Sequence, residues 1–190
     1  MGLPIDKLIV ATNENDILHR AISNGDYTSR EVKETLSPSM DIQLASNFER
    51  LIYYINSSDS EITVEIMKQI KQNSYKIEKN NLEIVQKDFL SESCNEKEII
   101  EVIKKNYEEN NIILDPHTAV GVGAANKLSF NDCVVLSTAH PCKFPDATNN
   151  AINKHEKLPN ELQHVLEKDE NFQILENDIE EVKNFVKSKV

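Results

Sequence analysis

The stretch Lys7-Leu8-Ile9-Val10-Ala11-Thr12-Asn13-Glu14-Asn15-Asp16-Ile17-Leu18-His19-Arg20 decides the fold class. Its first six residues form a short, unbroken apolar run. A strand with only one buried face alternates apolar and polar residues, so an unbroken run predicts a strand covered on both faces. Asn13 to Asp16 then supply side-chain acceptors for the unpaired amides that open a helix, predicted from about Ile17 to Ser23. Gly25 stands where a helix end commonly places a residue with positive φ. A strand that ends in a polar turn and feeds a helix is half of a βαβ unit.

Outward from this unit the chain reads as mostly helical. Ser46-Asn47-Phe48-Glu49 has capping-box spacing and predicts a helix running through Tyr54. Asp59 and Ser60 introduce another, with Ile62, Ile66, Met67 and Ile70 on one stripe. Asn95 and Glu98 open a third, with Ile99, Val102, Ile103 and Tyr107 at helical spacing. Asp115-Pro116 is a strong helix start, an N-cap followed by proline at the first helical position. Further helices are predicted over 145–152, 160–168 and 178–187. Val134-Val135-Leu136, opened by Cys133, reads as a second buried strand, and Leu82 to Val85 as a short third. The expectation is a helix-rich α/β chain. Two secure strands do not make a stable parallel sheet, so partner strands are expected in another segment. Met1-Gly2-Leu3-Pro4 reads as the end of a preceding helix.

Composition narrows the function class. The chain has 190 residues, 39% of them hydrophobic and 28% charged, with a net charge of −11. That charge repels phosphate backbones and argues against nucleic-acid binding. The acidic residues are interspersed with lysines, as in Glu96, Lys97, Glu98, Glu101, Lys104 and Lys105, which is the pattern of solvated helix faces. No apolar run is long enough to cross a bilayer, and Met1 to Lys7 lacks the basic start and apolar core of a secretory signal. The reading is a cytoplasmic protein with no membrane partner. Cys94, Cys133 and Cys142 are too few and too irregular for a disulfide framework. Cys133, His140 and Cys142 lack the paired spacing of a zinc site, so no metal is expected.

Three segments bear on chemistry. Gly121-Val122-Gly123-Ala124-Ala125 fails as a dinucleotide fingerprint, because Asn126 stands at the sixth position and no strand precedes it. Its small residues lie inside the helix begun at Asp115-Pro116, where close helix packing accounts for them. Leu136-Ser137-Thr138-Ala139-His140-Pro141 places two hydroxyls and a histidine at the end of an apolar run. In an open α/β sheet, ligands bind at the carboxyl ends of strands. Position alone leaves two readings, ligand contacts or locally bonded turn residues. Leu36-Ser37-Pro38-Ser39-Met40-Asp41, with Ser46-Asn47 and Arg50 following, offers hydroxyls and helix-start amides to an anion. Plain capping explains the same residues.

These segments also carry a family resemblance. Thr35-Leu-Ser-Pro-Ser-Met-Asp-Ile-Gln with Ser46-Asn-Phe-Glu-Arg-Leu resembles the middle of the threonine synthases. Asp115-Pro-His-Thr-Ala-Val-Gly and Ser137-Thr-Ala-His-Pro-Cys-Lys-Phe resemble two later motifs in the same order, and Asn13-Glu-Asn-Asp-Ile-Leu is similar as well. Together they cover most of the chain up to Ile152. The resemblance implies the C-terminal part of a fold-type-II (tryptophan synthase β-like) pyridoxal 5'-phosphate enzyme, a lyase of threonine biosynthesis that converts O-phospho-L-homoserine and water to L-threonine and phosphate. It implies a division into catalytic region (1–152) and helical tail (153–190).

Within this resemblance Thr138 is the hydroxyl that meets the pyridine nitrogen, with Ser137 assisting. A neutral partner leaves that ring a weaker electron sink than a carboxylate would. Ser37, Ser39, Asp41, Asn47, Arg50, His140 and Lys143 are assigned to the substrate side, with Lys143 attracting phosphate. His117 caps or packs at its helix start. No residue of the chain matches the Schiff-base lysine or the glycine-rich phosphate cup, so the N-terminal part of the same enzyme is the expected partner. The isolated chain is expected to be inactive. The alternative is a non-catalytic module, from a split or decayed gene, that needs a partner chain.

Overall fold

The computed structural model describes residues 4–72, 75–130 and 132–189. It divides into two compact units, Met1–Glu156 and Lys157–Val190. The first unit opens with the predicted strand and helix, but the expected side-chain cap is absent: Asp16, the N-cap of the helix, makes no side-chain cap bond. Strand β1, Leu8–Thr12, leads into helix α1, Ile17–Asn24. Gly25 closes α1 at φ 80°, and its amide bonds the Ala21 carbonyl. There follow α2 (Phe48–Ile55), α3 (Ser60–Lys71), α4 (Lys79–Asp88), strand β2 (Phe89–Ser93), α5 (Glu96–Asn110), α6 (Pro116–Lys127) and α7 (Pro145–Ile152).

β1 and β2 run parallel in register, Leu8 opposite Phe89 and Thr12 opposite Ser93. Side chains alternate across such a sheet, and the core divides accordingly. Val10 packs with one cluster, formed by Ile17, Ala21, Phe48, Ile52, Ile66 and Val85. Ala11 packs with the other, formed by Cys94, Ile99, Ile103, Ala119, Val120 and Ala147. The sheet is therefore covered by helices on both faces, α1 to α4 contributing one layer and α5 to α7 the other. The carboxyl ends of both strands share one edge, where Thr12, Asn13, Ser93 and Cys94 lie.

Several local expectations hold. Asp59 caps α3 through the amides of Glu61 and Ile62. Asn95 and Glu98 form a reciprocal capping box on α5. Asp115 caps α6, with Pro116 at its first position. Gly123 permits the close packing expected of it, because a Cβ there would lie 2.7 Å from Cys94 Sγ.

Other expectations are corrected. Leu82 to Val85 lies in α4 rather than in a strand, and the second strand is Phe89–Ser93. In Phe-Leu-Ser-Glu-Ser three of the five residues are polar, so its apolar signal is weak, but pairing with β1 makes it a strand. The Ser46–Glu49 capping box does not form. Asn47 is the N-cap of α2 and makes no side-chain cap bond. Ile62 leaves the buried stripe of α3 and is 47% exposed. Cys133 to Leu136 is not a buried strand. Val134 is 91% and Leu136 75% exposed, and no ladder forms there among the described residues. Val135 alone turns inward, against Gly121 of α6. The segment has strand composition, but a strand exists only where a neighbour's backbone pairs with it. The reading of Met1-Gly2-Leu3 as a helix end lies outside the described residues.

The second unit holds a 3-10 segment, Asn160–Glu167, and helix α8, Ile179–Lys189. It is largely exposed, including Leu166, Phe172 and Ile174. Among the described residues, no helix is long and apolar enough to cross a membrane.

The cysteines differ in environment. Cys94 is buried, and that burial pushes its thiol up to about 11. Cys133 is exposed. A thiol reagent at neutral pH should therefore modify Cys133 first and Cys94 only after unfolding, because the thiolate is the reacting form. Mass mapping of a labelling time course checks this; early labelling of Cys94 would contradict the packing described.

Candidate active site

At the carboxyl end of β1 the chain buries polar groups instead of apolar ones. Asn13, Asn15 and Ser37 are all at most 2% exposed, and buried polar groups must find partners. They find them in the Thr35–Asp41 loop. The Asn13 side-chain amide donates to Thr35 Oγ1 at 2.8 Å, Ser37 Oγ at 3.0 Å and Asp41 Oδ1 at 2.8 Å. Asn15 donates to the same Asp41 oxygen at 2.9 Å and to the Lys33 carbonyl at 2.9 Å. Thr35 closes the network, its hydroxyl donating to Asp41 Oδ1 at 2.7 Å and its amide to Oδ2 at 2.9 Å. The loop is thus tied to the strand end by side chains.

A second element meets this loop, the first turn of α6. The Ser39 amide donates to His117 Nε2 at 3.1 Å. His117 Nδ1 lies 3.0 Å from Asp115 Oδ1. The Thr118 hydroxyl donates to Asp115 Oδ2 and accepts from the Thr138 amide at 3.2 Å. The ring of Phe144 packs on His117 with centroids 4.6 Å apart. Beside it, Lys143 Nζ stands 5.9 Å from the Phe144 centroid. His140 caps the short 3-10 turn Pro141–Lys143 by accepting from the Cys142 amide. One helix turn therefore gathers Ser39 directly, Thr138 directly, and Lys143 through Phe144.

Of the predicted residues, the structure brings Ser37, Ser39, Asp41 and Thr138 around the sheet edge and the start of α6. Ser137, Thr138, His140 and Lys143 are exposed, so their polar ends are open to a ligand. Asn47 and Arg50 are placed differently. They line an open cleft of about 530 Å³ with Tyr53, Thr63 and Val64, and no hydrogen bond among the described residues joins them to the Asp41 network.

The residues that sequence reasoning missed are Asn13, Asn15, Thr35, Glu96, Asp115 and Thr118. Glu96 Oε2 accepts from the Leu36 amide at 3.0 Å, while its Oε1 is buried and has no partner among the described residues. Burial pushes the Glu96 carboxyl up, against the Leu36 bond that pulls it down. The available signal was an asparagine directly after an apolar strand, the position where an α/β sheet meets its ligand.

The fit to a cofactor can be judged on these residues. The exposed hydroxyls of Ser137 and Thr138, on a loop held by Thr118, suit a neutral contact to a heteroaromatic nitrogen. The arrangement therefore fits one side of such a group.

The family model described as "Threonine synthase, C-terminal" matches residues 118–186. Threonine synthase of Saccharomyces cerevisiae is 41% identical over 219 residues, covering 100% of this chain and 43% of that protein. Threonine synthase of Pseudomonas aeruginosa is 38% identical, over 98% of this chain and 41% of that protein. A crystal structure of threonine synthase with bound PLP, from Brucella melitensis, superposes with a TM-score of 0.85 at 36% identity, covering 99% of this chain and 41% of that one. The yeast crystal structure gives a TM-score of 0.81 at 40% identity, over 100% and 43% respectively. The chain spans less than half the length of these relatives. It belongs to the threonine synthase family and matches a portion that includes the C-terminal region.

Proposed function

We propose that this chain is the C-terminal part of a cytoplasmic, pyridoxal-phosphate-dependent threonine synthase. It would convert O-phospho-L-homoserine and water to L-threonine and phosphate, once joined to the N-terminal part that its relatives possess. The observation that carries this reading is the convergence of the Ser37–Asp41 loop and the Thr138 loop on one turn of α6. The cofactor supplies the electron sink. Thr138, with Ser137, offers an uncharged contact to its ring nitrogen. Ser39 and Lys143 line the substrate side, Lys143 as the cation for phosphate. Ser37 and Asp41 shape the substrate loop from below, and His140 orders the turn that carries Lys143. Asn47 and Arg50 belong to a separate cleft, where an anion contact would need substrate reaching from the loop to α2. In this reading 1–152 is catalytic and 153–190 is an appended helical tail.

The alternative, a non-catalytic module from a split or decayed gene, needs the same missing part and predicts no turnover when it is restored. The deciding experiment joins this chain to the N-terminal part and measures phosphate release from O-phosphohomoserine. Release dependent on added pyridoxal phosphate supports the enzyme; cofactor binding without release supports the module; neither would overturn the proposal. Within the active protein, Lys143→Ala should raise KM for the phosphorylated substrate about ten-fold, the cost of one charge-assisted contact. Unchanged kinetics would remove Lys143 from the phosphate side.

A further inference from the structure

We propose that Asp115, His117 and Thr118 form a two-armed clamp that sets the two ligand-facing loops independently, His117 for the substrate loop and Thr118 for the cofactor loop. The inference rests on the reading of those loops given above. The Ser39 backbone N–H can only donate, so His117 Nε2 at 3.1 Å must present a bare lone pair. The ring proton therefore sits on Nδ1, and Asp115 Oδ1 at 3.0 Å accepts it. The same logic holds at the second arm. The Thr138 N–H donates to Thr118 Oγ1, so the hydroxyl proton points the other way, to Asp115 Oδ2. One carboxylate thus turns two side chains that could each donate or accept into two fixed acceptors, one per oxygen.

Asp115 does this while also accepting from the His117 and Thr118 amides as the N-cap of α6. Asp115 is 1% exposed, and His117 and Thr118 are 5% exposed each, so water does not compete for these bonds. Helix capping alone needs only the carboxylate. It gives no reason for the ring and the hydroxyl to be buried beside it, each spent on the amide of a different loop. All three are positioning residues, because none of their polar atoms is open to a ligand.

The test uses the chain joined to its N-terminal part. Hydrogen exchange at the Ser39 and Thr138 amides is read beside KM for O-phosphohomoserine and the dissociation constant of pyridoxal phosphate. His117→Leu should speed exchange at Ser39 about ten-fold and raise KM, leaving Thr138 and cofactor affinity unchanged. Thr118→Val should do the reverse. His117→Gln, whose amide oxygen can stand in for Nε2, and Thr118→Ser should restore each arm. Equal effects of both variants on both loops would show a merely structural helix start and overturn the clamp. So would unchanged exchange in both, or loss of function in the conservative pair. If the parent protein neither binds cofactor nor releases phosphate, the functional reading fails by itself, and the exchange pattern still decides the clamp.

Discussion

Asp41→Ala is expected to destabilise the protein by about 3 kcal/mol, the scale for removing one partner of a buried, charge-assisted network. The Asp41 carboxylate accepts from Asn13, Asn15 and twice from Thr35. Asn13 is wholly buried and Asn15 nearly so, so their released amide protons cannot turn to water. Asp41→Asn should cost less, about 1–2 kcal/mol, because one oxygen remains. Its amide nitrogen would then face either Thr35 N–H or the donors on the other side, a mismatch the alanine variant lacks. Denaturant midpoints at unchanged slope measure both. A loss below 1 kcal/mol for the alanine variant would mean that the loop is held by something other than this network.

Gly123→Ala should cost about 2 kcal/mol, against the usual gain of about 1 kcal/mol for replacing a helical glycine by alanine. The added methyl would lie 2.7 Å from Cys94 Sγ and 3.6 Å from Val102 Cγ2. Cys94 is 1% exposed, so the sulfur has little room to retreat. In a Cys94→Ala background the obstacle is gone, and the same substitution should become neutral or stabilising. That change of sign is the diagnostic result, a coupling between contacting residues that additive effects cannot produce. Additive costs would show that Gly123 is needed for another reason, such as helix flexibility.

How much of this was legible before the fold was known depends on what kind of signal each residue gives. β1 was legible because Leu8 to Ala11 are apolar without a break, and Val10 and Ala11 find clusters to pack against on opposite faces. Val134 to Leu136 carries the same signal and is exposed on both sides of Val135, because apolar composition reports a demand for burial and does not supply the partner. β2 was illegible for the opposite reason. Its serines and glutamate read as loop, yet pairing with β1 fixes it as a strand, a non-local effect. Helix starts at Asp59, Asn95 and Asp115 were legible because capping is local: the acceptor and the amides it serves lie within three residues. Ser46 shows the limit of that argument, since the spacing fits, yet the N-cap of α2 is Asn47 and makes no side-chain cap bond.

At the site, the loops bearing Ser39 and Thr138 were legible as polar segments near apolar runs. Their common support was not. Ser39 and His117 are 78 residues apart, and Thr118 and Thr138 are 20 apart, so no local pattern links them. Asn47 and Arg50 follow Ser37 closely in sequence, yet the start of α2 carries them to a different cleft.

The central claim is that this chain supplies one side of a cofactor site whose anchoring lysine lies elsewhere. It is tested most directly by loading the joined protein with pyridoxal phosphate, reducing it with borohydride and mapping the labelled peptide. The account predicts a single pyridoxyl-lysine outside these 190 residues, and none when the isolated chain is treated in the same way. Stoichiometric labelling of any lysine within the chain, Lys143 included, would contradict it.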